Sequence, residues 1–317
     1  METEKSLISI IIPILNEEQN IPLIYKGILG AWKNLESKYD YEIIFVNDGS
    51  EDKSGEMIEN LSKSNARVKY IEFSRNFGKE VAVSAGLHHS KGGAAIIIDA
   101  DLQHPPGLIP EFIKKWENGF EAVIGVRKES GKDSIVRNLG AYLFYKIMNS
   151  IGETKIVPYS TDYRLLDRKV VIEFNKFTEK NRIIRGLIAW LGFKRGYIYF
   201  NAGKRTHGKA RYSCYGLAKL AVSSFVSHSL FPLKLAGYFG TFLTLVFGVL
   251  GFLVFVNKYI VGDPWGLSVS NNTIFAIIIL FSVGIILASL GLMALYIANI
   301  HSEVVDRPMY VIRKKSL

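Results

Sequence analysis

The stretch "IIIDADLQHPP", Ile96 to Pro106, runs three β-branched residues into two carboxylates one residue apart and then into a double proline. The isoleucines favour a buried strand, and His104-Pro105-Pro106 supplies its end. Acids at such an end call for something positive: a divalent cation, a diphosphate carried by one, or, for a lone pair of acids, only water. Mg²⁺ or Mn²⁺ suits Asp99 and Asp101, because such an ion takes one or two carboxylates and leaves positions for water and substrate phosphates.

Read outward, this segment (94–101) is the fourth of five strand-like runs. LISIIIPIL (7–15) is a near-continuous apolar run, as expected of a parallel strand covered on both faces, and Asn16-Glu17-Glu18 opens a helical stretch to about residue 37. YEIIFVNDGS (41–50) is the second strand, and its Asp48-Gly49-Ser50 turn is placed to cap a helix from Glu51. VKYIEFS (68–74) and EAVIGVR (121–127) are the third and fifth, with helices over GKEVAVSAGLHHS (78–90) and PGLIPEFIKKWENG (106–119). The alternation predicts an α/β fold with an open, mostly parallel sheet and helices on both faces. Ligands bind such sheets outside the carboxyl ends of the strands. Asn16-Glu17, Asn47-Asp48, Ser74-Arg75-Asn76 and Asp99-Ala100-Asp101 all fall there, and four polar clusters at one edge outweigh any single one.

Charge is unevenly spread along the 317 residues. Residues 235–257 and 273–300 carry no ionisable acid or base, and each is longer than the roughly 20 apolar residues that cross a ~30 Å hydrocarbon core. Two C-terminal transmembrane helices are therefore expected. Lys204, Arg205, Lys209, Arg211, Lys219 and Lys234 precede them and Arg307, Arg313, Lys314 and Lys315 follow, so both flanks are expected on the cytoplasmic side of the membrane. The N-terminal apolar run is broken by Pro13 and does not read as a cleaved signal. Two amphipathic segments, 134–151 and 213–233, are expected to lie in the headgroup plane. The expected domains are 1–212 catalytic and cytosolic, 213–233 interfacial, 234–300 a transmembrane hairpin and 301–317 a basic cytosolic tail. The net charge of +10 gathers beside these segments, which favours anionic lipid over nucleic acid as partner. The single cysteine, Cys214, excludes an internal disulfide. Gly248, Gly251, Gly284 and Ala288 leave room for close helix packing, and with it a homo-oligomer.

"IIPILNEEQNI", "IIFVNDGSEDKS", "FSRNFGKEVAVSAGL" and "IIIDADLQHPP" together resemble the successive signatures of family-2 glycosyltransferases with the Rossmann-like GT-A fold. More narrowly the chain is similar to polyprenyl-phosphate glycosyltransferases, the dolichol-phosphate-mannose-synthase-like group, and to the bacterial branch that glycosylates undecaprenyl phosphate. The resemblance implies that Pro13, Glu17 and Asp48 hold the donor nucleoside, and that Asp99, Asp101 and Gln103 hold the metal and the donor diphosphate. It places Arg205 and Arg211, in "KRTHGKARY", on a loop over the donor, and Arg127 and Arg137 at the acceptor phosphate. Leu15 stands where the family often has an aromatic residue, and Ala210-Arg211 where it has Ser-Lys. "STDYRLLDR" (160–168) is similar to the family's Gly-Asp-Phe-Arg segment, which implies Asp162 near the sugar or acceptor and Arg164 bracing it; a simple ion pair between the two is the plainer alternative.

The implied activity is an inverting, metal-dependent transfer of a hexose, glucose from UDP-glucose or alternatively mannose from GDP-mannose, to a membrane polyprenyl phosphate. A processive polysaccharide synthase needs more spans and a Gln-x-x-Arg-Trp segment, which this chain lacks. A membrane-anchored nucleotide-sugar-binding subunit is the non-enzymatic alternative, and loss of transfer on Asp101→Ala would exclude it.

Overall fold

The computed structural model describes residues 5–128, 157, 159–179, 182–201 and 307–317, with isolated positions between 252 and 305. The chain divides into two compact units, Met1–Ser213 with Arg307–Leu317, and Cys214–Asp306. The expected interfacial helices (134–151 and 213–233), Arg137, Arg205 and Arg211 lie outside the described residues, as do most of the two apolar runs. Among the described residues no helix is long and apolar enough to cross a membrane.

In the first unit the elements follow as β1 (Ser6–Ile14), α1 (Ile21–Trp32), β2 (Tyr39–Asn47), α2 (Ser54–Ser64), β3 (Val68–Phe73), α3 (Lys79–His89) and β4 (Ala94–Ile97). A short 3₁₀ turn (Pro106–Leu108) leads to α4 (Ile109–Glu117) and β5 (Ala122–Arg127). Then come β6 (Ser160–Asp167), α5 (Arg168–Asn175), α6 (Ile184–Trp190), β7 (Arg195–Phe200) and, from the far end of the chain, β8 (Ile312–Ser316). They form one sheet in the order β7-β5-β6-β4-β1-β2-β3-β8. Strands β4, β1, β2 and β3 run parallel, β7 runs parallel to β5, and β6 and β8 enter antiparallel. The α/β, GT-A-like sheet expected from the sequence is present.

The isoleucine runs are continuous because both faces of the sheet are covered. Ile8, Ile10, Ile12 and Ile14 of β1 pack with Ile21, Ile24, Ile28 and Trp32 of α1 and with Phe112 of α4. The opposite face of β1 sends Ile11 into a second core with Ala82, Val83 and Ala85 of α3 and Val170 and Phe174 of α5. Burying each such aliphatic side chain is worth about 1.5–3 kcal/mol. Helix α3 lies especially close to the sheet: a Cβ at Gly86 would sit 2.3 Å from Ile11 Cγ2.

Two local expectations change. Helix α1 begins at Ile21 rather than at Asn16, because Asn16 takes a positive φ of 55° and the loop is bonded instead to the one after β2. Strand β4 stops at Ile97, so Asp99 and Asp101 stand in the turn beyond it, where Leu102 also has a positive φ of 60°. The basic tail also has structure: Ile312–Ser316 pairs with β3 and covers an otherwise open sheet edge.

Candidate active site

The loops at the carboxyl ends of β1 to β4 hold one another. Asn16 N donates to Ser50 Oγ at 2.9 Å, Glu17 N to Ser54 Oγ at 2.9 Å and Glu18 N to Asp52 Oδ2 at 3.2 Å. In return Glu51 N donates to Asn16 Oδ1 at 2.9 Å and Lys53 N to Glu18 Oε2 at 3.1 Å. Asp48 does not cap the helix that follows it. Its carboxylate accepts from Phe77 N at 2.7 Å and Gly78 N at 3.0 Å, thereby fixing the start of α3. Gly49 is required here: its φ is +71°, and a Cβ would lie 2.5 Å from the Arg75 carbonyl carbon.

That arrangement delivers Lys79, the first residue of α3, to the strand ends. Its Nζ lies 2.6 Å from Asp99 Oδ1, 2.8 Å from Asp99 Oδ2 and 2.8 Å from Asp162 Oδ2. Only the Oδ2 contact to Asp99 is a well-directed hydrogen bond, and Asp99 Oδ1 is buried with its acceptor capacity otherwise unused. Asp162, on β6, is held on its other oxygen by Arg185 Nε at 2.6 Å. Burial opposes charge on Lys79, but Asp99 and then Asp162 outweigh it and hold the ammonium above the usual lysine range. With 40% of the side chain exposed, solvent screens part of that attraction. Burial likewise opposes ionisation of Asp162, yet Lys79 and Arg185 hold its carboxyl well below the usual range.

Arg164 is fully inside, and its partner is not Asp162. Its Nε donates to Thr161 O at 3.0 Å, and burial together with the nearby Arg185 lowers its pKa to about 10. The direct brace on Asp162 thus comes from Lys79 and Arg185. An arginine two residues along the same strand stays on its own backbone, whereas α3 and α6 bring their cations in from the side. Lys79, Glu80, Val83, Ile97, Asp162, Arg164 and Ile184 together line one small cavity. Glu80 there accepts from Ile184 N at 3.1 Å, and burial, then Asp162, raises its pKa.

The remaining predicted residues are placed as follows. Pro13 lies on β1 opposite Val46, and Glu17 accepts from Asn20 Nδ2 at 2.6 Å in the first loop. Asp101 accepts from Gln103 N at 3.1 Å, which closes the turn that holds all three expected metal ligands. Arg127 ends β5 exposed to solvent. The structure thus brings Asp99, Asp101, Gln103 and Asp162 to one edge, with Glu17 and Asp48 in the adjoining loops. Among the described residues no three or more His, Cys, Asp or Glu side chains form a ready-made metal cage.

A family model described as "Glycosyl transferase family 2" matches residues 9–174. The chain belongs to glycosyl transferase family 2. Within the family, an uncharacterized glycosyltransferase of Bacillus subtilis is 37% identical over 96% of this chain and 93% of that one. The bactoprenol glucosyl transferase of Shigella phage SfII is 34% identical over 97% of both chains. A prophage bactoprenol glucosyl transferase homolog of Escherichia coli is 34% identical over 97% of this chain and 98% of its own length. A solved mannosyltransferase of Pyrobaculum calidifontis aligns over 97% of this chain and 89% of that chain, at 15% identity and a TM-score of 0.47, too loosely to bear on the site.

For this family-2 chain, sequence reasoning missed Lys79, Arg185 and His104. His104 is buried, stacks on Tyr163 with ring centroids 5.3 Å apart, and accepts from Asp99 N on Nδ1 at 3.3 Å. Burial lowers its pKa and keeps the ring neutral, as an acceptor nitrogen must be. Its one visible signal was position: it sits between the acids and the prolines that end the strand.

Proposed function

We propose that this chain transfers glucose from UDP-glucose to a membrane polyprenyl phosphate, undecaprenyl phosphate in a bacterium, with inversion at the anomeric carbon. The observation that carries the reading is the end-to-end likeness to a bactoprenol glucosyl transferase, 34% identity over 97% of both chains. The site geometry supports the chemistry.

Asp99, Asp101 and Gln103 suit Mg²⁺ or Mn²⁺, since the turn offers two carboxylates, and the buried Asp99 Oδ1 meets the Lys79 ammonium at 2.6 Å without a well-directed hydrogen bond. The bound ion supplies positive charge against the diphosphate leaving group. Glu17 and Asp48 fix the two loops that would flank the donor nucleoside, next to Pro13. Asp162 stays ionised under Lys79 and Arg185, which makes it a poor general base. None is needed, because the acceptor phosphate is already anionic. A fixed negative charge at Asp162 instead favours a sugar that gains positive character as its bond to the leaving group breaks. Arg164, buried nearby, adds a positive charge that favours the ionised form of Asp162. Arg127, exposed at the end of β5, together with Arg137, is proposed to meet the acceptor phosphate, and Arg205 and Arg211 to close over the donor.

The membrane reading rests on the two uncharged runs and on one further feature. The isolated described positions Phe275, Ile279, Ile286, Leu290, Ile297 and Ile300 are helical and all exposed. Large apolar side chains that are exposed suit lipid rather than water. The proposed topology is a two-span hairpin with the catalytic unit and both termini in the cytoplasm.

Purified protein with short-chain polyprenyl phosphate and a panel of UDP- and GDP-sugars tests the reading, with products identified by mass spectrometry. A glucosyl product from UDP-glucose, lost in Asp101→Ala, is expected. Transfer from another donor alone would change the assigned sugar, and retention of the donor's α anomer in proton NMR would overturn inversion.

A further inference from the structure

Resting on the reading of a metal-carried diphosphate donor, we propose that Lys79 competes with the divalent cation for Asp99 and moves onto the donor diphosphate when the cation takes its place. Its Nζ lies within 2.8 Å of both Asp99 oxygens and of Asp162 Oδ2. A cation bound to Asp99 must take at least one oxygen that the ammonium now covers, and two positive centres so close repel each other strongly. The fold lets Lys79 leave. Asp162 carries its two cations on separate oxygens, Lys79 on Oδ2 and Arg185 on Oδ1 at 2.6 Å, so departure of the lysine leaves the partly buried carboxylate paired. Arg185 itself is anchored by Nη1 to Ser160 O at 3.0 Å and stays with β6. The Lys79 side chain is 40% exposed and has a flexible four-carbon stem, which gives it room to swing while its backbone stays fixed. That backbone is held in turn, because Asp48 binds the amides of Phe77 and Gly78 just before it. The diphosphate arriving with the cation brings the anionic oxygens that the ammonium loses at Asp99.

The test is Mn²⁺ binding to the full-length chain in detergent, without donor, followed by electron paramagnetic resonance of the free ion. Lys79→Met and Lys79→Gln remove the competitor, and each is expected to bind Mn²⁺ about tenfold more tightly than the parent, the scale of coupling between contacting groups. Lys79→Arg keeps the charge and is expected to stay within about threefold of the parent. UDP binding in saturating Mn²⁺ should weaken about tenfold in the two neutral variants and recover in Lys79→Arg. Neutral variants that bind Mn²⁺ no more tightly than the parent, or that bind UDP equally well, overturn the proposal. Melting temperatures identify any variant that fails to fold, and the second neutral variant then decides. Glucosyl transfer by the parent is scored separately: transfer without the Mn²⁺ effect sinks only the role of Lys79, and the Mn²⁺ effect without transfer sinks only the assigned reaction.

Discussion

At the scale of single residues, the two cations on Asp162 decide what that carboxylate can do. Its folded-state pKa is depressed, because Lys79 and Arg185 outweigh burial. The stability it contributes is therefore present above the ordinary aspartate value of about 3.9 and is lost only as pH falls through the lower folded value. Asp162→Asn is expected to cut kcat by about 100-fold or more, as loss of a preorganised charge does, and to leave the acid limb of the pH–rate profile in place. A limb that moves would make Asp162 a titrating base. His104 acts in the same direction but at higher pH. Burial lowers its pKa, so below about 6.5 the unfolded chain takes up a proton that the folded chain refuses, and stability falls. Melting temperatures measured from pH 8 to pH 5.5 should show this decline, and His104→Phe should flatten it. The acids were legible in the sequence because two carboxylates after three isoleucines are conspicuous. Their partners were not, since Lys79 and Arg185 reach Asp162 from helices 83 and 23 residues away along the chain.

Between elements, the packing of α3 on β1 sets where Lys79 stands. Gly86 lets the helix approach, and Gly86→Ala would drive a methyl group into Ile11 Cγ2 at 2.3 Å. Overpacking of this kind costs about 1–3 kcal/mol. A fall in melting temperature of roughly 2–4 °C per kcal/mol is expected for a unit of this size, along with weaker donor binding as α3 is pushed outward. Strand identity was readable, because β1, β4 and β5 are almost wholly apolar and the charged residues of β2 and β3 flank the apolar runs Ile43–Val46 and Tyr70–Ile71. Their ends were less so. Asp99 and Asp101 continue the extended look of the isoleucine run, and only the folded chain shows the ladder to β1 stopping at Ile97. The pairing of β6 between β4 and β5 was hidden too, since "STDYRLLD" has polar residues where a half-buried charged cavity requires them.

For the molecule as a whole, the C-terminal strand is the part the sequence concealed most fully. "IRKKS" reads as a soluble basic tail, and its residues are in fact mostly exposed. It is held by its backbone, by Arg313 Nη2 donating to Ser74 O at 2.8 Å, and by Tyr310 stacking on Phe73 at 5.0 Å. Removing residues 307–317 would uncover the β3 edge and the Phe73 ring. Lower thermal stability and concentration-dependent aggregation in light scattering are the expected results, and an unchanged melting curve would show that the strand is dispensable.

That same strand restricts how the chain is threaded. The polypeptide leaves the first unit after Ser213, rejoins it at Arg307 and enters its sheet at Ile312–Ser316. Anything it traverses on the way out it must traverse again on the way back. Passages through a bilayer can then come only in even numbers, a parity rule that a hairpin obeys and a lone or triple crossing breaks.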